Sequence, residues 1–151
     1  MQHPIYVERQ LFKFLWIFMP LMSLFNLWME IHAITPRGSL LPFIVLLINL
    51  LALLALGSLT IRVDATHLSW CFGWLGWPVW KVALADIEVA GPTNTSFLDG
   101  WGIQRTREGM LYNAHGKQAI RLGMRNGKSI RLGTQDPQRL LSYLTPRLNG
   151  R

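Results

Sequence analysis

AIRLGMRNGKSIRLG, residues 119 to 133, repeats IRLG on either side of a short basic segment, and the register of that repeat sets how the chain folds around it. Ile120, Leu122 and Met124 alternate along one candidate strand and Ile130 and Leu132 along the next, so each strand offers one apolar face. A two-residue Asn126-Gly127 turn would pair Leu122 with Arg131 and send the two apolar faces to opposite sides of the sheet. A three-residue loop, Arg125-Asn126-Gly127, pairs Met124 with Lys128, Leu122 with Ile130 and Ile120 with Leu132. Gly127 then supplies the left-handed residue that closes a type I turn with a bulge. The same register sets Arg121 opposite Arg131 on the outward face, where like charges repel by a fraction of a kcal/mol. Either both arginines splay into water and do nothing, or an acidic surface or anionic head group binds there, with Arg125 and Lys128 as further candidate contacts.

The hairpin belongs to a β-rich segment. TIRVD, LSWCF, VWKVAL, IEVA, WGIQR, MLYNA, QAIRLGM and KSIRLG are short alternating runs separated by Gly, Pro, Asn and Asp, which predicts seven or eight strands. DPQRLLSYL then predicts one helix over about 137–145. Asp136 is its N-cap, Pro137 its first residue, Leu140, Leu141 and Leu144 its apolar stripe, and Pro146 its stop. Residues 59–151 suffice for one small domain with its own core.

Upstream the composition changes. The 151 residues are half hydrophobic and carry a net charge of +7, and the two properties are segregated along the chain. No charged residue occurs from 38 to 61, and between Lys13 and Arg37 the one charged residue is Glu30. A helix rises about 1.5 Å per residue and hydrocarbon is about 30 Å thick, so these runs predict two membrane spans, about 11–33 and 39–58. Joined by little more than AITPRG, they predict a helical hairpin over 1–58, with the soluble domain following. Two basic residues (Arg9, Lys13) precede the first span, Arg37 lies in the loop, and twelve follow the second, a bias that puts both termini in the cytoplasm. Asn26 and Asn49 fall at comparable depth and are candidates for a hydrogen bond across the hairpin, or to a second subunit. The single Cys71 forms no intramolecular disulfide and reads as core filler.

Trp70, Trp74, Trp77 and Trp80 crowd eleven residues soon after the second span. Alternation assigns Trp70 and Phe72 to the core, whereas Trp74 and Trp77, in a glycine-containing turn, are candidates for contact with the membrane interface or a protein.

Several phrases in order carry a family likeness: LSWCFGWLGWPVWKVALADIEVA, then GWGI at 100 to 103, YNAHG at 112 to 116, NGKSIRLGT at 126 to 134, and the closing DP with its leucine helix. Over residues 59–146 they resemble the bacterial pleckstrin-homology-like domains of small two-span membrane proteins. The resemblance implies a bent β-barrel or sandwich of about seven strands, plugged at one end by the C-terminal helix, in a binding module of the bacterial inner membrane. Phosphoinositide-binding relatives use a basic loop between their first two strands. Here that region is aromatic, with Lys81 its one charge, which disfavours an inositol-phosphate pocket.

No catalytic arrangement emerges. Asp64, His67 and Ser69 lack a nucleophile-bearing turn, the four histidines and one cysteine lack metal spacing, and GKS at 127 to 129 lacks the upstream glycine of a phosphate loop. The sequence therefore predicts a non-enzymatic membrane adaptor without cofactor or metal, engaging a membrane-protein partner or copies of itself, with an anionic-lipid reader as the alternative. Nucleic acid is not an expected partner, because the basic residues alternate with core residues and form no groove-binding element.

Overall fold

Alternation makes a strand only where one row of side chains reaches a core. The computed structural model, which describes residues 5–32, 40–95, 102–114 and 117–149, has nine strands among those residues. In chain order they and the helices are β1 (Tyr6–Leu11), α1 (Lys13–Ile31), α2 (Leu41–Leu56), β2 (Ser58–Val63), β3 (His67–Phe72), β4 (Val79–Ala83), β5 (Ile87–Asn94), β6 (Gly102–Thr106), β7 (Gly109–Asn113), β8 (Gln118–Met124), β9 (Ser129–Gly133) and α3 (Pro137–Asn149). Strands β2 to β9 coincide with the eight runs read from the sequence.

The ninth strand corrects the expected N-terminal tail. β1 pairs with β2 along its whole length, from Tyr6 opposite Val63 to Leu11 opposite Ser58. Tyr6, Glu8 and Gln10 form its inner row, while Val7 and Leu11 face out, so its polarity is inverted relative to an ordinary half-buried strand. Glu8 makes the inversion workable. Its carboxylate accepts from Tyr6 Oη (2.8 Å), Gln10 Nε2 (2.9 Å), Thr134 Oγ1 (2.6 Å) and the Gln135 N–H (2.7 Å), which gives the donors of the polar row a partner and ties β1 to the start of α3.

The strands form two sheets that share one core and do not close into a barrel. One is antiparallel in the order β1-β2-β3-β4, and the other runs β5-β8-β9-β7-β6 with β7 and β9 parallel. Closure would need edge strands to pair with each other, and no ladder joins the two sheets among the described residues. Leu59, Ile61, Leu68, Trp70 and Phe72 from the first sheet meet Tyr112, Ile120, Leu122 and Leu132 from the second. Each buried leucine or isoleucine contributes about 1.5–3 kcal/mol. The repeat at 119 to 133 has the register expected of it: Ile120 faces Leu132, Leu122 faces Ile130, and Gly127 sits at φ +75°. Leu140 and Leu144, one turn apart, press α3 onto the same core. Pro146 does not stop this helix, which runs on to Asn149. At its start, the Asp136 carboxylate accepts from the Arg139 N–H at 3.0 Å, as an N-cap should.

Both apolar helices are shorter than the spans read from the sequence. α1 starts at Lys13 because Leu11 belongs to β1, and α2 ends at Leu56 because the last part of the uncharged run, from Ser58, is the inner strand β2. α1 is long and apolar enough to cross a membrane, whereas α2 is apolar but has 16 residues. The helices meet at their sheet ends, where Gly57 O accepts from the Phe12 N–H (3.0 Å) and Trp16 Nε1 (2.9 Å). Further out, Asn49 Nδ2 donates to Ser23 Oγ (2.8 Å) and Met19 O (3.2 Å). The connection at 33–39 lies outside the described residues.

Candidate functional site: a basic cleft at the end away from the helices

The parallel β7–β9 pairing creates the site. It sets Met110 beside Ile130, so the β6–β7 turn lies against the entry of β9 and the two basic turns share one end of the sheet. Gly109 permits the approach: its φ is +118°, and a Cβ there would collide with the Ser129 carbonyl. Between the turns opens a cleft of about 540 Å³ lined by Arg105, Arg107, Arg121 and Lys128, with Glu108 as its one carboxylate. Arg121 is oriented by its Nε–H donating to Ser129 Oγ at 3.1 Å. Glu108 is partly neutralised from behind, with Arg131 Nη1 at 3.5 Å. A partly solvated cleft with a net charge of +3 attracts anions and carboxylates.

The sequence-predicted contacts divide. Arg121 and Lys128 line the cleft, and Arg125 does not: its side chain is exposed, and its N–H bonds Asp86 O at 2.9 Å. Arg131 faces Arg121 in register but does not splay into water. It is only 4 % exposed, and its Nη2 donates to Asn94 O at 2.9 Å. The cross-strand repulsion is thus relieved because Glu108 and a carbonyl hold Arg131 down. Arg105 and Arg107 are the residues that sequence reading missed. RTREG at 105 to 109 signals a charged turn, but no local signal reveals that this turn lies beside Lys128, because parallel pairing is non-local.

Position matters as much as charge. β2 begins beside the helices at Ser58, and its six residues cover about 20 Å. The turn at its far end holds Leu84 N–H through Thr66 O, and Asp86, two residues on, holds Arg125 N–H in the β8–β9 turn, each at 2.9 Å. β6 likewise starts at an apolar recess of about 300 Å³ lined by Phe12, Phe14, Leu56 and Phe72, and carries Arg105 away from it. The cleft therefore opens at the end of the domain opposite the helices.

At the helix end the surface is apolar. Trp70 and Phe72 are buried as expected, whereas Trp74, Leu75 and Trp77 are exposed, Trp77 by 78 %. Their turn is fastened to α2. The Trp74 N–H donates to Leu54 O (2.8 Å), the Gly73 N–H to Ser58 O (2.7 Å), and the Arg9 guanidinium lies 4.4 Å from the Trp74 ring centre. The expected Asn26–Asn49 bond is not formed. Asn26 Nδ2 donates to Met22 O of its own helix at 2.8 Å, and Asn49 reaches the helix at Ser23, one turn nearer the sheet. Cys71 is buried and free. Among the described residues no three His, Cys, Asp or Glu side chains converge as metal ligands. In comparisons with known proteins, the chain matches no protein family, no curated protein and no solved structure.

Proposed function

We propose that this chain is a non-enzymatic adaptor of a bacterial inner-membrane complex. In this reading α1 and α2 form a transmembrane hairpin, both termini face the cytoplasm, and a sheet domain of bacterial pleckstrin-homology-like type holds a protein partner. Shortness of α2 is met by the aromatic turn packed at its end, which extends the apolar surface beyond Leu56. The observation that carries the reading is the placement of charge. The cleft lies about 20 Å from the strand ends where the helices emerge, more than two Debye lengths at physiological salt, so head groups of that leaflet feel little of it. A cytoplasmic protein reaches it freely.

A second reading, contact with anionic lipid, is favoured by a different surface: Arg9 stacked on Trp74 beside exposed Leu75 and Trp77 at the helix end. The two readings assign different chemistry to different ends of one domain. Photo-crosslinking residues placed at Lys128 and at Trp77 in intact cells separate them. The expected result is protein adducts at position 128 and lipid adducts at position 77, from a chain that stays in the membrane fraction after an alkaline wash. Lipid adducts at 128 would replace the adaptor with the lipid reader, and release by the wash would remove the membrane assignment.

A further inference from the structure

Resting on the reading that the domain holds a protein partner, we infer that the open part of the second sheet's outer face is a groove for an extended acidic segment of that partner. Its carboxylates would sit among Arg105, Arg107, Arg121 and Lys128, and one apolar side chain would lie against Val89.

Arg121 also lines a neighbouring cleft of about 320 Å³ with Val89, Gly91, Pro92 and Gly123, so basic and apolar compartments adjoin across one shared side chain. The floor of the second compartment is bare backbone. A Cβ on Gly91 would meet nothing within 4 Å, and one on Gly123 would meet only Val89, at 3.7 Å. Val89 is 63 % exposed because the ladder slips between Ile87 and Val89, which leaves Ile87 in the core and turns Val89 outward. The two compartments run across the strand order β5-β8-β9-β7-β6, whose four intervals of about 4.8 Å make about 19 Å. An extended chain rising about 3.3 Å per residue crosses that span in about six residues.

The chemistry selects the occupant. A single phosphate would occupy one point of the basic compartment and leave the apolar one unused, whereas an acidic peptide ending in an apolar residue complements both. This chain does not supply the segment itself. No two of its eight acidic residues are adjacent, and the closest pair, Asp86 and Glu88, is fixed at the start of β5. The segment therefore belongs to another protein.

The test uses the full chain in neutral-lipid nanodiscs and a dye-labelled heptapeptide with glutamate at positions 1, 3 and 5, leucine at position 7 and alanine between them, so that the carboxylates and the leucine share one face of the extended chain, followed by anisotropy. R105E with R121E should weaken binding at least tenfold, and V89D about threefold. R125E, the same change of charge outside the groove, should stay within twofold. R107A, in an exposed turn, should weaken binding about threefold and serves if the double variant does not fold. The groove is overturned if R125E weakens binding as much as the double variant, if a glutamine version of the peptide binds equally well, or if inorganic phosphate at equal charge displaces the peptide completely. Failure of these arms with protein adducts still forming at position 128 rejects the groove and keeps the adaptor. Peptide binding without adducts in cells rejects the adaptor and keeps the groove.

Discussion

Glu8 decides whether β1 belongs to the domain. It stands among core-facing residues and keeps four donors around one carboxylate, two of them from the segment leading into α3. Hydrogen bonds to a charged group contribute about 1.5–3 kcal/mol each when a partner is removed. Tyr6 is the most affected of these donors: burial pushes its hydroxyl well above the ordinary tyrosine range, and the bond to the Glu8 carboxylate pushes it the same way. The folded chain thus keeps this proton at a pH where the unfolded chain, with a tyrosine pKa of about 10, has lost it. The resulting stability is fully present below about pH 10 and is lost as pH rises above it. Tyr6→Phe should cost about 1.5–3 kcal/mol at pH 7, because the bond it removes is to a charged group, and the variant's stability should fall less steeply between pH 10 and 11.5. Denaturant midpoints at the two alkaline pH values check this, and parallel slopes for both proteins would assign the alkaline loss elsewhere. Tyr112, also raised by burial, leaves a residual slope in the variant.

Turns and pairings make the site from ordinary elements. Two glycines of similar sequence context do different things there. Gly127 closes the β8–β9 loop at positive φ with open space around it, so Gly127→Ala carries only the left-handed penalty of about 1 kcal/mol. Gly109 has positive φ and also abuts the Ser129 carbonyl. Gly109→Ala should therefore cost about 2–3 kcal/mol and part the β6–β7 turn from β9. Thermal unfolding of the two variants orders them, and equal losses would mean that the contact with Ser129 contributes nothing. The same elements show what a local pattern can carry. The eight runs with apolar inner rows are legible as strands because period-two alternation is local. β1 is not, since its inner row is Tyr6, Glu8 and Gln10, and the partners that make it tolerable lie more than a hundred residues away.

The whole chain is organised by an insertion. Leu11 and Ser58 are paired neighbours at the end of one ladder, and between them the chain makes both apolar helices. Bonds from Phe12 and Trp16 to Gly57, and from Trp74 to Leu54, fasten the helix ends to the sheet, so the domain's orientation follows that of the helices. If the helices span a bilayer as proposed, this geometry would set Trp77 at the interface and the cleft on the far side. Quenching by brominated lipid tests it: W74F with W77F should lose a clear share of the quenching that the native chain shows, while W80F, which removes a partly buried ring packed on the core, should not. Unchanged quenching in the double variant would place the aromatic turn away from the lipid.

Local information determined the alternating strands, the hairpin register at 119 to 133, the buried Trp70 and Phe72, and the separation of apolar from basic segments, because each depends on neighbours a few residues apart. Tertiary structure decided the rest. It recruited a polar strand into a sheet, cut both apolar runs short by giving their ends to β1 and β2, buried Arg131 while leaving Arg121 open, and brought Arg105 and Arg107 beside Lys128. Each of those outcomes depends on a partner distant in sequence: a carboxylate's donors, a ladder's opposite strand, a parallel pairing. Charge and hydrophobicity fix which residues seek burial, and the topology of the two sheets fixes which of them meet.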